Sequence, residues 1–244
     1  YGAGGGTSEH TVDLAHEAKT DGVTALAHLT CYSSTKEKVL DVIRQLKEKG
    51  IENILALRGD RASDSPIGEF NHASELMELI ATQGDFCVGG ACYPECHPES
   101  ASIIDDLDGL KRKVDSGCRF LTTQMFFDNS VFYKFSNQLR SYGIQVPLVA
   151  GIMPVTQSSQ IERIVKLSGC GIPLELSSIC ERFADDPAAM KQAGIAFATN
   201  QIIDLIASGV NNIHIYTMNK PDIAKAIMDN LSDIIGKQGT QYEA

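Results

Sequence analysis

Compact apolar runs recur along this chain roughly every thirty residues, each bounded by turn-forming or polar residues. They are Thr24–His28, Asn53–Leu57, Phe86–Gly90, Arg119–Thr123, Pro147–Gly151 and Asn212–Tyr216. Their length suits strands buried on both faces, as in a parallel sheet, where near-continuous apolar runs replace alternation. Between them the apolar residues fall at spacings of three and four, the period of a helix with one buried face. In Thr35–Lys49 they are Val39, Leu40, Val42, Ile43 and Leu46, with Gly50 placed to stop the helix. Ala188–Ser208 predicts the longest helix, ending at Gly209. Helix, glycine break and strand follow one another at Lys49-Gly50, Ser116-Gly117, Tyr142-Gly143 and Ser208-Gly209. This is the pattern of repeated αβ units in a single domain, with helices outside a parallel sheet.

Such units fit either an open doubly wound sheet or a (β/α)8 barrel. Tyr1-Gly2-Ala3-Gly4-Gly5-Gly6-Thr7-Ser8 reads as a loop at the C-terminal side of a strand, leading into a helix near Thr7–Lys19. The strand that would feed this loop is not in the sequence. Six complete strands plus that one fall short of eight, and a whole barrel typically takes about 250 residues. The expectation is an N-terminally truncated α/β TIM barrel. Residues 1–244 would form one domain lacking the first βα unit and the second strand.

Composition narrows the function classes. Hydrophobic residues make up 43% and charged residues 21%, which suits a chain that buries a core and excludes intrinsic disorder. Lys and Arg number 21 against 31 Asp and Glu, so no basic footprint for nucleic acid is expected. No apolar run approaches the 18 or so residues of a membrane span, and the first residues lack the regions of a signal peptide. The seven cysteines are odd in number, which with no export signal predicts free thiols in a reducing cytoplasm.

In a parallel barrel the chemistry gathers on loops after the strands' C-terminal ends. Those positions hold His28-Leu29-Thr30-Cys31, Arg58-Gly59-Asp60, the segment Ala91–Glu99, Gln124-Met125-Phe126-Phe127-Asp128, Gly151-Ile152-Met153-Pro154 and Tyr216-Thr217-Met218-Asn219. Arg58-Gly59-Asp60 spells an adhesion tripeptide, but it directly follows a buried strand. Either a structural Arg–Asp pair or an anion-meeting Arg58 beside a ring-meeting Asp60 fits it better. Cys87, Cys92, Cys96 and His97 match no standard zinc or iron–sulfur spacing, so no metal is expected. Asp105, Asp106 and Asp108 suit the first turn of a helix, and Arg112 and Lys113 one turn on could either be solvated or clamp a diphosphate. The glycines at 2, 4, 5 and 6 do not form a dinucleotide fingerprint, because position 7 is Thr. His10, His16 and His72 sit on helical patterns and read as surface residues.

Eight segments in one order resemble a known family. They are Tyr1-Gly2-Ala3, HLTC at His28–Cys31, ALRGD at Ala56–Asp60, YPECHPE at Tyr93–Glu99, LKRKVDSG at Leu110–Gly117, TQMFFD at Thr123–Asp128, AGIMPV at Ala150–Val155 and IHIYTMN at Ile213–Asn219. Together they closely resemble methylenetetrahydrofolate reductase in its short bacterial form. The resemblance implies a (β/α)8 barrel with non-covalent FAD that passes a hydride from NADH or NADPH to methylenetetrahydrofolate. It implies FAD contacts at Tyr1, Ala3, His28, Arg58, Gly59, Asp60, Ala73, Tyr93, His97, Asp106, Arg112 and Lys113. Asp60 and Gln124 would be catalytic, Asp60 disfavouring an anionic reduced ring and meeting the pterin, Gln124 lying over the flavin. Gln160 and Lys220 match folate-side positions; Lys220 is often Arg in relatives, and Gly109 stands where they often carry Asn. The family's proposed general acid, a Glu in an E-F-F-P-P-like segment, matches no residue of this sequence. With the sequence ending at Tyr242-Glu243-Ala244, the expectation is a protein without the regulatory domain of eukaryotic relatives. The expected partners are a folate substrate and either further copies of the chain or an electron-transfer protein. Two other classes compete: a flavin-binding electron-transfer subunit working only with a partner, and a barrel lyase. The lyase wants a Schiff-base Lys at a strand end, and no predicted strand ends in Lys.

Overall fold

A computed structural model describes residues 10–59 and 68–238. Among them, helices and strands alternate as α1 (Thr11–Thr20), β1 (Leu26–Thr30), α2 (Lys36–Glu48), β2 (Asn53–Leu57), α3 (Ala73–Ala81), β3 (Cys87–Cys92), α4 (Ile103–Asp115), β4 (Phe120–Thr123), α5 (Asn129–Ser141) and β5 (Leu148–Ile152). Three helices follow, α6 (Gln160–Ser168), α7 (Leu174–Arg182) and α8 (Pro187–Ala207), then β6 (Ile213–Ile215) and α9 (Pro221–Gln238). The strands neighbour one another in chain order, β1-β2-β3-β4-β5-β6.

Local chemistry sets the helix ends. Thr35 Oγ1 accepts from the Lys38 amide before α2, and Ser102 Oγ accepts from the Asp105 amide before α4. The Asp186 carboxylate takes the Ala188 and Ala189 amides before α8, whose first turn starts with Pro187. Gly50 and Gly209 lie at φ +69° and +87°, the left-handed conformation that lets the chain leave a helix and enter the next strand.

The chain divides into two compact units. The first comprises Tyr1–Cys92, Ala101–Thr122 and Tyr142–Pro147. In it β1, β2 and β3 pair in parallel, with Leu26 opposite Asn53, Thr30 opposite Leu57, and Asn53 opposite Cys87. The second comprises Tyr93–Ser100, Thr123–Ser141 and Leu148–Ala244. There β5 and β6 pair in parallel, Ala150 opposite Ile213 and Ile152 opposite Ile215. Its core joins Phe126, Phe132, Ala150 and Ile152 to Ala198, Ile202 and Leu205 of α8 and to Ile223, Ile227 and Leu231 of α9. Ile213 and Ile215 pack on that core, so the two-residue period of β6 sends His214 and Tyr216 to the opposite face.

Two expectations need correcting. The first strand runs over Leu26–Thr30 rather than Thr24–His28, because pairing lasts as long as its partner β2 does, and this places His28 in mid-strand. His72 is not within a helix; its backbone is extended and it stands just before α3. The sequence pattern also missed α6 and α7, whose short amphipathic stretches are separated by the break Gly169-Cys170-Gly171-Ile172-Pro173.

Candidate functional site

Tyr1, Ala3 and Asp60, expected at the site, lie outside the described residues. The remaining expected residues fall into two groups, one in each unit.

In the first unit, the end of β2 is tied to the end of β1. The Arg58 carbonyl accepts from the amides of Cys31 and Tyr32, at 3.1 and 2.8 Å. Gly59 follows at φ +91°, and a Cβ there would lie 3.1 Å from Thr30 Cβ, so glycine meets both the backbone angle and the close approach. The Arg58 side chain turns back, Nε donating to the Gly59 carbonyl. His28 is half-buried in β1, and Ala73 is buried at the first turn of α3.

β3 and α4 bring a cation and two thiols together. Lys113 Nζ donates to the Ala91 carbonyl at 2.7 Å. Burial lowers its pKa below the ordinary lysine value, partly offset by Cys92, Asp106 and Cys118 nearby, while Arg58 lowers it further. Burial raises both thiols: Cys92 well above the ordinary range, and Cys118 to about 11. The Cys118 thiol donates to the Phe120 carbonyl at 3.0 Å. Arg112, its neighbour on α4, is exposed, and Asp106 is half-buried one to two turns earlier. None of the seven cysteines forms a disulfide. Cys31 is likewise raised to about 12, chiefly by burial. Cys31, Cys92 and Cys118 are therefore protonated near neutral pH and poor nucleophiles.

In the second unit, Tyr93 and His97 meet edge to face, ring centroids 4.5 Å apart. His97 Nδ1 accepts from the Glu99 amide at 3.1 Å, so in the neutral ring the proton sits on Nε2. The loop carrying this pair is fastened by Glu95, whose carboxylate accepts from the Gly171 amide at 2.9 Å. Cys96 between them has φ +76°, an unfavourable angle for a side chain with a Cβ. Gln124 Oε1 accepts from the Met125 amide at 3.0 Å, which fixes the amide's orientation and leaves Nε2 as its donor. Gln160 Oε1 accepts from the amides of Thr156 and Gln157, both at 3.0 Å. Lys220 follows the Met218-Asn219 turn, where both residues are left-handed, at φ +49° and +57°.

Sequence reasoning missed the supporting hydrogen bonds. Tyr216 Oη donates to the Thr123 carbonyl and Gly151 N donates to Thr123 Oγ1, both at 2.9 Å. The available signal was the Ile213-His214-Ile215-Tyr216 alternation, which marks a polar face on an otherwise apolar strand.

The comparison with known families decides the grouping. The sequence profile described as Methylenetetrahydrofolate reductase matches residues 1–232. The chain belongs to that family. It is similar to the 5,10-methylenetetrahydrofolate reductase of Escherichia coli (strain K12), 34% identical over 232 residues, covering 95% of this chain and 78% of that one. Methylenetetrahydrofolate reductase 1 of Schizosaccharomyces pombe is 35% identical over 238 residues, and methylenetetrahydrofolate reductase (NADH) 1 of Arabidopsis thaliana 36% over 248. This chain spans 40% and 42% of their lengths, covered in each case over 95% of its own. Among solved structures it is similar to a Clostridium thermocellum protein that binds two copies of 5-methyl-5,6,7,8-tetrahydrofolic acid. That likeness has a TM-score of 0.56 at 15% identity, covering 91% of this chain and 77% of the other. It bears on the fold, which is α/β and TIM-barrel-like. No described helix is long and apolar enough to cross a membrane.

Proposed function

We propose that this protein is a flavin-dependent oxidoreductase that reduces 5,10-methylenetetrahydrofolate to 5-methyltetrahydrofolate, with non-covalent FAD and electrons from NADH or NADPH. The observation that carries this reading is the family match over residues 1–232. The first unit's residues fit a flavin dinucleotide. α4 offers an exposed guanidinium on Arg112 and, on Lys113, an ammonium with donors beyond the one given to Ala91. Among the described residues only Arg112 Nη2, at 3.6 Å, stands where a side chain at Gly109 would begin, so a ligand can approach the helix there. When bound, FAD supplies the hydride transfer between nicotinamide and folate.

The chain's own groups then have separable tasks. Arg112 and Lys113 would hold the diphosphate, and Asp106 would offer acceptors to hydroxyl groups. His97 donates through Nε2, since its Nδ1 already accepts. Gln124 presents its amide nitrogen to the ring ligand, and Gln160 and Lys220 serve the folate. Asp60 would serve both the flavin and the folate, and the nicotinamide less.

The visible absorption spectrum of the purified protein, with FAD added where needed, tests the cofactor. A flavin band that stays with the protein is expected, and a protein that neither carries nor binds FAD overturns the reading. Stopped-flow kinetics test Asp60. Asp60→Asn should slow the folate half-reaction more than reduction by the nicotinamide; equal slowing of both removes that role.

A further inference from the structure

Thr123 is the last residue of β4 and is fully buried, and its hydroxyl and carbonyl are both engaged. Its hydroxyl accepts from Gly151 N of β5, and its carbonyl accepts from the phenol of Tyr216, 93 residues further along the chain. The next peptide begins Gln124. Tyr216 is in turn held at both ends. Its backbone amide donates to the Ile152 carbonyl at 2.9 Å, and its ring lies edge to face against His214, centroids 4.7 Å apart. Gly151 makes room for it. A Cβ at 151 would lie 2.9 Å from the ring's Cε2, 3.0 Å from its Oη and 2.4 Å from the Thr123 carbonyl.

We propose that Tyr216 is a positioning residue: its hydroxyl, by holding the Thr123 carbonyl, fixes the strand end from which Gln124 presents its amide to the ring ligand. This rests on the reading of Gln124 as a ligand-facing residue. The physical basis is the geometry of the strand end. β4 spans only four residues, Phe120–Thr123, and Gln124 is the first residue past its end. The Gln124 side chain is also bound to its own backbone through Met125 N, so its orientation follows that of the peptide. A peptide rotated by a lost hydrogen bond would re-aim the Gln124 amide without touching the ligand. Positioning groups act in this way, through the placement of another group.

The experiment is a double-mutant cycle read by calorimetric binding of 5-methyltetrahydrofolate to the FAD-loaded protein. Gln124→Ala should weaken binding. Tyr216→Phe, which keeps the ring, should weaken it about three- to tenfold, the range expected for one neutral hydrogen bond. In the Gln124→Ala background Tyr216→Phe should have less than a twofold effect. Flavin content and the melting curve accompany each variant. If Tyr216→Phe fails to fold, Thr123→Val, which removes the hydroxyl bond to Gly151, should show the same dependence on Gln124. An equal loss from Tyr216→Phe in both backgrounds, or no loss in either, overturns the positioning role while leaving Gln124 as a ligand contact. No loss from Gln124→Ala overturns the reading of Gln124 and the inference with it.

Discussion

Helices α4 and α8 each carry a glycine in their interior, and the two glycines have different surroundings. At Gly109 on α4, among the described residues, an added Cβ meets one atom, Arg112 Nη2 at the end of a long side chain, at an ordinary 3.6 Å. At Gly194 on α8 it would lie 1.8 Å from the Val155 carbonyl oxygen and 2.7 Å from its carbon. So α8 packs backbone against backbone on the segment following β5, and only glycine permits that approach. The two helices also differ in charge. α4 has Asp105 and Asp106 in its first turn and Arg112 and Lys113 in its last, in keeping with its dipole. α8 has no acid in its first turn and no base in its last. A glycine in a helical pattern thus marks a tight contact in one place and a tolerated gap in the other.

The largest expected effect breaks the tight contact. Gly194→Val should destabilise the protein by about 3 kcal/mol, the upper end of ordinary overpacking, measured by urea unfolding. An unfolding midpoint unchanged by this substitution would mean that α8 does not rest on Val155. Next comes the charged end of α4. Replacing both Arg112 and Lys113 by Ala should weaken FAD binding more than tenfold, since charge-assisted contacts are worth about 1.5–3 kcal/mol each. A smaller loss in a flavin titration would remove the diphosphate role.

The third prediction concerns alkaline pH, where neighbours of α4 oppose one another. Cys118 titrates at about 11 in the folded chain against an ordinary 9.0, so between those values the folded state holds more protons than the unfolded one. Its contribution to stability is therefore lost as pH rises through that window. Lys113 has the opposite sign. Its folded pKa is lowered by burial, so the unfolded state holds more protons, and stability rises with pH between that lowered value and 10.5. Cys118→Ala should flatten the alkaline decline and Lys113→Met should steepen it, in melting curves taken from pH 8 to about 11. Shifts in the same direction would contradict the placement of the pair. The smallest effect is Gly109→Ala, which should stabilise the protein by about 0.5–1 kcal/mol through helix propensity. A loss on chemical denaturation would show that α4, like α8, has a neighbour too close for a side chain.

Much of this was legible in the sequence. Strand β2 has the bounds its apolar run predicts, α2 lies within the expected Thr35–Lys49 and before the Gly50 stop, and α8 begins one residue early, at Pro187. These features are local: an apolar period, a side chain that caps, a glycine that turns. The motif residues that identify the family are also contiguous in the chain, which is why the resemblance could be read before any coordinate. Where a strand's end depends on its partner, as for β1 against β2, the run alone misplaced it by two residues and put His28 at a strand end instead of its middle.

The remaining features depend on groups brought together over long separations. Lys113 and Ala91 are 22 residues apart, and only packing of α4 on β3 turned a charge on a helix into a desolvated ammonium bound to a carbonyl. The His97 tautomer depends on how the loop folds back on Glu99, and the loop's anchorage on Glu95 reaching Gly171, 76 residues away. Tyr216 reaches Thr123 across 93 residues, and β5 carries glycine at a position where a side chain would crowd that contact. By itself the sequence determined most of the elements, though not α6 and α7, and the family they belong to, since periodicity and motifs act over a few residues. Only the tertiary structure decided which groups are dry, which atoms accept hydrogen bonds and which glycine is a contact, because burial and hydrogen-bond partners are properties of the packed chain.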